Sequence, residues 1–139
     1  MGAMMEANCY AILFADRVIR EDNGKIGVIG IFENFFSPSV PFQPAPWGIF
    51  LGLDNVPAGH YVLTANLVHE DTQSVVLPIS LNLEQKVAGV VQIPLPVMGV
   101  PFASFGRYSF TVNLNGSQVG SRILTVTRLD PGAGGRGAA

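Results

Sequence analysis

The sequence contains few charged residues. Only 13% of its 139 residues are Asp, Glu, Lys or Arg, against about a quarter in an ordinary soluble protein. The mean hydropathy is +0.37, and low charge together with high apolarity argues against intrinsic disorder. Eight basic residues are offset by ten acidic ones, so the formal net charge is −2. Because binding to nucleic acid or to an anionic membrane depends on a cationic surface, we expect neither partner.

Cysteine and long apolar segments are also scarce. Cys9 is the single cysteine, which excludes an internal disulfide framework. No run of about 18 apolar residues occurs, as a membrane-spanning helix would require, and the N-terminal stretch lacks the basic leader of a secretory signal. With an unpaired thiol and no export signal, we predict a cytoplasmic location.

The two ends of the chain differ in composition from the rest. Residues 1–7 begin Met-Gly-Ala ahead of two further methionines, so we expect an added leader or a flexible N-terminus. Residues 130–139 read DPGAGGRGAA and are expected to form a disordered Pro/Gly/Ala-rich tail. Residues 8–129 have the length of one domain with its own core.

Apolar residues follow the spacing of strands rather than helices. Sixteen glycines and ten prolines disfavour long helices. Asn23-Gly24 and Asn115-Gly116 each separate two apolar runs and predict type I′ hairpin turns. Residues 60–67 and 107–114 alternate apolar with polar, as expected when one sheet face packs on a core. The sequence therefore predicts an all-β fold, a single antiparallel β-sandwich of immunoglobulin-like type with about seven to nine strands.

Three details refine this prediction. Pro78 cannot donate a hydrogen bond to a sheet, so its strand should lie at an edge or contain a bulge. Uninterrupted alternation after Asn115-Gly116 would turn Leu124 outward, and a bulge at Gly120 would return it to a position opposite Tyr108. The first two strands carry apolar residues on both faces. Coverage of the outer face by a partner chain, as in a homodimer, would explain that pattern, and so would bulges.

Two long connections are rich in proline and phenylalanine, and strand alternation places them at one end of the predicted sandwich. Long connections in a compact domain are often functional. Their rings could fold inward and plug the open end of the sandwich, because large apolar side chains are usually buried. Alternatively, they could form an exposed interaction surface. The candidate interaction residues are Phe35, Phe36, Phe42, Trp47, Phe102 and Phe105.

Residue patterns that signal catalysis are absent. His60 and His69 fall on opposite faces of one predicted strand, so they cannot bind one metal together. Cys9 has no histidine nearby in the sequence, and no serine lies in a G-x-S-x-G motif. We therefore predict no enzyme activity and no catalytic, cofactor-binding or metal-binding residues. Asp16 lies among apolar residues, so it should be paired, hydrogen-bonded or at an edge. Its candidate partners are Arg17, Arg20 and the backbone of the second strand.

The stretch from Ala11 to Phe32 carries the pattern F-A-D-x-V-x-x-E-D-N-G-K-x-x-x-I-G-I-F. With the closing hairpin Tyr108–Val126, it resembles a family of small bacterial proteins classed as a domain of unknown function. The resemblance covers about Asn8–Leu129. It implies a bacterial β-sandwich of a single domain, without an assigned activity or known site residues.

Three functions remain open from the sequence. The first is a non-enzymatic interaction or assembly module, which binds a protein partner or self-associates through a sheet face or the Pro/Phe-rich end. The second is a binding protein for an apolar or sugar-like small molecule, with Trp47 and Phe42 in its pocket. The third, a hydrolase or metal enzyme, would need side chains far apart in sequence to meet in space, namely His60, His69, Asp16 and Glu33.

Overall fold

The computed structural model describes residues 6–130, and the predictions for residues 1–5 and 131–139 lie outside it. Ala7, at the boundary of the predicted leader, is buried in the core. Within residues 6–130 there are nine strands and no helix, hence no helix long and apolar enough to cross a membrane. The strands are β1 (Asn8–Arg20), β2 (Ile26–Phe32), β3 (Asn34–Ser37), β4 (Trp47–Val56), β5 (Gly59–His69), β6 (Val75–Gln85), β7 (Gly89–Val97), β8 (Gly106–Leu114) and β9 (Ser117–Arg128).

The strands form two sheets, as an all-β sandwich requires. Sheet A has the order β2-β1-β4-β7, and sheet B has the order β3-β9-β8-β5-β6. The inward side chains of both sheets build one core, in which Phe14, Ile49 and Leu51 from sheet A meet Leu63 and Phe110 from sheet B. The all-β sandwich predicted from the sequence is confirmed.

One strand pair departs from the antiparallel prediction, since β3 pairs with β9 in parallel. The sequence predicted a single strand over residues 25–36, but the chain leaves sheet A at Glu33 and enters sheet B. On one straight strand Phe32 and Phe35 would point in opposite directions, because they are three residues apart. The break lets both rings reach the core side, where their centroids are 4.7 Å apart.

The two Asn-Gly turns differ from each other. Asn115 and Gly116 have φ angles of 48° and 84°, which confirms the predicted type I′ turn. Asn23 has no positive φ, and only Gly24 does, at 88°. The first hairpin therefore closes through a longer loop, in which the N–H of Glu21 donates to the carbonyl of Lys25 at 2.7 Å. The type I′ prediction for that turn was wrong.

The predicted bulge at Gly120 is confirmed. The β8–β9 register steps by one residue between Val112, which pairs with Gly120, and Asn113, which pairs with Gln118. As a result Leu124 pairs with Tyr108 and is fully buried. Pro78 lies on β6, an edge strand of sheet B, as its missing N–H predicted.

Candidate interaction surfaces

The two long connections, residues 38–46 and 98–105, meet at one end of the sandwich, which we name the aromatic pole. It is the end where β4 and β8 begin. The N–H of Phe42 donates to the carbonyl of Phe102 at 2.9 Å, and the N–H of Phe102 donates to the carbonyl of Phe42 at 2.7 Å. These two bonds confirm that the connections lie together at one pole.

The aromatic side chains of this pole pack mainly on one another. The ring of Phe35 lies 5.4 Å from Trp47 and 5.5 Å from both Phe42 and Phe102, measured between centroids. Trp47 and Phe102 are buried, while Phe35, Phe42 and Phe105 are partly buried against the core. Phe36 is the exception, with 58% of its surface exposed. Five of the six candidate residues therefore plug the sandwich, and the pole offers a partner mainly Phe36.

Two buried polar rings, those of His69 and Tyr108, lie beneath the plug. Their contact was not predicted from the sequence. The hydroxyl of Tyr108 donates to the carbonyl of Ser104 at 2.6 Å. His69 Nε2 donates to the carbonyl of Phe105 at 3.0 Å, and its Nδ1 lies 2.9 Å from the hydroxyl of Thr72. Burial raises the pKa of the Tyr108 phenol. The two ring nitrogens of His69 thus fix the connection from β5 to β6, through Thr72, and the connection that precedes β8, through Phe105.

The acidic and histidine side chains considered for catalysis do not meet. His60 Nε2 is 4.0 Å from Glu84 on an exposed surface, whereas His69 is buried. Glu33 pairs with Arg122 at 3.5 Å. Across residues 6–130, no group of three or more His, Cys, Asp or Glu side chains could hold a metal ion.

Asp16 is exposed, although its neighbours in sequence are apolar. Its carboxylate lies over Gly30 of β2, where a Cβ added to that glycine would come within 2.4 Å of Oδ2. Neither Arg17 nor Arg20 forms an ion pair with it in the described residues, so the two predicted arginine partners were wrong. Of the three predicted solutions, Asp16 adopts the edge position, at the point where β1 leaves β4.

Cys9 is half-buried between the sheets. A Cβ added to Gly120 would lie 2.7 Å from the Cβ of Cys9, so the bulge glycine makes room for the cysteine. Burial and, to a smaller extent, the charge of Asp54 raise the pKa of the thiol to about 11. Since the thiolate is the reactive form, this cysteine is poorly suited to act as a nucleophile near neutral pH.

Two open clefts lie away from the aromatic pole. The larger, of about 430 Å³, is lined by Glu6, Asn55, Pro57, Ala88 and Gly89. The smaller, of about 220 Å³, is lined by His60, Tyr61, Val62, Asn82, Leu83 and Asn115. None of the six aromatic candidates lines either cleft.

The outer face of sheet B is polar. Its cross-strand rows contain threonine, serine and asparagine on neighbouring strands, with partners such as Thr64 with Ser80 and Asn66 with Thr111. Apolar residues in the same rows include Val62 and Val75, which are 45% and 54% exposed, together with Val68, Pro78 and Ile123. The polar members of these rows are Thr64, Asn66, Ser80, Asn82, Ser109, Thr111, Asn113 and Ser121. Such a face is well hydrated, as is usual for the solvent side of an antiparallel sheet.

The outer face of sheet A carries no charged side chain on β4 from Gly48 to Gly52, and Asp54 follows on the same strand. On β4, Phe50 lies between the core residues Ile49 and Leu51, so its side chain is on the outer face. It is buried there between its strand partners Leu13 and Pro94. Beside it Gly48 pairs with Ala15 and Pro96, and Ala15 in turn pairs with Ile31. The face consists of Ala11, Leu13, Ala15, Ile31, Gly48, Phe50, Gly52, Gln92, Pro94 and Pro96, with Tyr10 lying over Gly52.

Exposed apolar side chains of sheet A include those on β2, where Ile29 pairs with Arg17, and one at the start of β1. Ile29 and Ile31 are 50% and 57% exposed, and Tyr10 is also exposed. The hydroxyl of Tyr10 accepts a hydrogen bond from the side-chain amide of Gln92 at 2.9 Å. The sequence predicted that β1 and β2 would be apolar on both faces, and the outer side chains of β2 have no cover within the described chain.

A search of the solved structures found a similarity to Pseudomonas fluorescens alkylpurine DNA glycosylase AlkC bound to DNA containing an abasic site analog. The sequence identity is 12% and the TM-score is 0.43. The match covers 88% of this chain but 30% of the glycosylase chain, so this protein spans less than a third of its length. A search of the curated proteins found no match.

A family model matches residues 10–127 of the chain. The matched range includes the hairpin formed by β1 and β2 and all but the last residue of β9, the segments that carried the resemblance in the sequence. Because the model covers most of the chain, the protein belongs to the family of unknown function DUF6941.

Proposed function

We propose that this protein is a non-enzymatic assembly module that binds a second copy of itself through the exposed surface of sheet A. The observation that carries the proposal is the half-exposed pair Ile29 and Ile31 on β2, where Ile31 borders the apolar row of Ala15 and Ile29 pairs with Arg17. Contiguous exposed apolar surface rimmed by polar residues is typical of interaction sites. The outer face of sheet B is mainly polar, in contrast to that of sheet A.

A second copy is favoured over an unrelated partner by the charge of the surface. In a contact around a two-fold axis, both copies contribute the same patch. Each residue therefore meets either the same residue of the other copy or another residue of that patch. A patch that carries charge of one sign would therefore repel itself, whereas the rows across β4 from Gly48 to Gly52 contain no charged side chain. The chain as a whole has a net charge of only −2, so repulsion between copies is weak.

A role in binding rather than catalysis is supported by how the reactive groups are used. His69 holds the connections that follow β5 and precede β8, and the thiol of Cys9 has its pKa raised to about 11. Glu70 accepts hydrogen bonds from Arg107 and Ser109 at 3.1 and 2.8 Å. We propose that the protein works in the cytoplasm, where an unpaired cysteine remains reduced.

Binding of an apolar or sugar-like small molecule at the aromatic pole has less support. Such a site needs a concave pocket of several hundred Å³ lined by the rings. Phe102 is fully buried and Trp47 is 5% exposed, so these rings fill the pole themselves.

The proposal is tested by light scattering and sedimentation over about two decades of concentration, since self-association depends on concentration. The test variant is the double substitution Ile29→Thr and Ile31→Thr, which keeps β-branched side chains but removes apolar surface. We expect the wild-type protein to dimerise and this variant to dimerise at least about tenfold more weakly.

The matched control is Val62→Thr with Val75→Thr on sheet B. These valines are exposed to a similar extent, 45% and 54%, and the substitution has the same chemistry. Dimerisation of the control should equal that of the wild type. A wild-type protein that stays monomeric, or a dimer weakened equally by both pairs of substitutions, would contradict the proposal.

A further inference from the structure

The sandwich has four edge strands, and three of them are protected against pairing with another chain. β6 contains Pro78, and β7 contains Pro94 and Pro96, which lack the N–H that a pairing strand needs. β3 is only four residues long, which leaves little edge to pair. Proline and short length are the usual means by which sheet proteins block edge-to-edge association.

The fourth edge, β2, has none of these protections. It is seven residues long, reads IGVIGIF, and contains neither proline nor a charged residue. It is bonded to β1 on one side and to no other strand of the described chain. Gly30 has a φ of 74° and does not pair with Asp16, but the register with β1 is the same on both sides of it, so the strand continues without a shift. Natural proteins rarely leave such an edge unpaired.

We propose that β2 pairs antiparallel with β2 of a second copy, around a two-fold axis at Ile29. The pairing joins the two A sheets into one continuous eight-stranded sheet. This inference rests on the self-association proposed above and adds to it the strand, the direction and the register. It also explains why the other three edges carry protections and this one does not.

The charges at the ends of β2 select the direction and the register. Lys25 precedes the strand and Glu33 follows it, and the residues between them are uncharged. Antiparallel pairing centred on Ile29 places Lys25 of each copy opposite Glu33 of the other, so two ion pairs form. Parallel pairing would instead place like charges side by side. The same register puts Ile26 opposite Phe32, an apolar pair of the kind that stabilises sheets.

Charge reversal tests the register directly. The variants are K25E, E33K and the double variant K25E/E33K, with the dimer dissociation constant measured by sedimentation at low salt. Each single reversal creates two like-charge pairs across the axis, and we expect dimerisation to weaken about tenfold. The double variant restores both attractions with their signs exchanged, and its affinity should return to within about threefold of the wild type.

The recovery can come only from contact between copies. Lys25 and Glu33 are eight residues apart on an extended strand, or about 26 Å, too far to interact within one chain. E33K also breaks the contact between Glu33 and Arg122, which is 3.5 Å in this chain. K25E cannot restore that contact, so recovery in the double variant reports the pairing across the axis.

The outcomes separate this inference from the function on which it rests. Weakening in both single variants with recovery in the double variant supports the β2 register. A dimer that is lost on substitution of Ile29 and Ile31 but shows no coupling between positions 25 and 33 overturns the register and leaves the assembly function standing. Coupling between the charges with no effect of the two isoleucine substitutions would support edge pairing and contradict the role of the apolar face. A monomeric wild type overturns both.

Discussion

Two nine-residue segments of the chain have similar sequences and begin at opposite poles of the sandwich. Gly59–Leu67 and Gly106–Leu114 share five of nine residues. In both, a tyrosine hydroxyl donates to a carbonyl four residues upstream: Tyr61 to Pro57 at 2.8 Å and Tyr108 to Ser104 at 2.6 Å. β5 and β8 are antiparallel neighbours in sheet B, so the two tyrosine corners face away from each other.

What packs on each corner differs. Tyr108 is 1% exposed and lies under Phe102 and beside His69, with ring centroids 5.1 and 4.8 Å apart. Tyr61 is 7% exposed and borders the smaller cleft. A hydrogen-bonded tyrosine near the start of the next-to-last strand is a feature of immunoglobulin-like sandwiches, and Tyr108 on β8 occupies that place. The same local motif is therefore held by different tertiary contacts at the two poles.

The largest difference between the poles should come from removing a side chain that packs near each tyrosine. Phe102→Ala leaves a cavity against Tyr108 in the fully buried plug and should lower the free energy of unfolding by about 3–5 kcal/mol. Leu83→Ala, on the strand position paired with Tyr61, removes a partly buried side chain and should cost about 1–2 kcal/mol. Urea unfolding at neutral pH measures both values. Equal losses would mean that the two poles are packed equally well.

Removing each tyrosine hydroxyl should show how much one hydrogen bond stabilises each pole. Tyr108→Phe leaves the carbonyl of Ser104 without its partner in a partly buried site and should cost about 1–3 kcal/mol. Tyr61→Phe frees the carbonyl of Pro57, an exposed residue that water can reach, and should cost about 0.5–1 kcal/mol. The two phenylalanine variants keep the ring, so each is the control for the other. A larger loss of stability in Tyr61→Phe than in Tyr108→Phe would show that the aromatic plug does not strengthen the hydrogen bond of Tyr108.

Some features of the fold could be predicted from short patterns because local chemistry determines them. Alternation predicted the core faces of β5 and β8. Uninterrupted alternation in β9 would have turned Leu124 outward, and this conflict indicated the bulge at Gly120. The Asn-Gly rule succeeded at Asn115, whose backbone and side chain both bond to Val62 on β5. It failed at Asn23, whose side-chain oxygen instead accepts the N–H of Lys25 within the turn. The same dipeptide adopts different turns because tertiary contacts hold one of them.

Other features depend on which strands become neighbours, and no local pattern encodes that. The exchange of sheets at Glu33 is supported by a bond from the Thr125 N–H to its carbonyl at 3.1 Å, a contact between residues far apart in sequence. The apolar outer face of sheet A requires knowing that β4 lies between β1 and β7. The sequence did predict that β1 and β2 carry apolar residues on both sides. It could not indicate that Ile29 and Ile31 would lie at the one unprotected edge.

The smallest effect concerns the titration of the two poles at high pH. Cys9 lies near the Tyr61 pole, where β9 begins, with a pKa raised to about 11 from 9.0. Tyr108, at the aromatic pole, also has a raised pKa. An acid with a raised pKa stays protonated in the folded protein and ionises more readily when unfolded. Stability contributed by Cys9 is therefore complete below pH 9 and declines as the pH rises from 9 toward 11.

Reaction of the thiol with iodoacetamide at pH 8 measures the same shift directly. The rise of the pKa from 9.0 to about 11 lowers the thiolate fraction at pH 8 about a hundredfold. Alkylation of the folded protein should therefore be about a hundredfold slower than alkylation in urea. Cys9→Ala should flatten the decline of stability between pH 9 and 11, whereas Tyr108→Phe should act mainly above pH 10. Fast alkylation of the folded protein would mean that Cys9 is open to solvent, and the packing of β1 on the Gly120 bulge would then be looser than its contacts indicate.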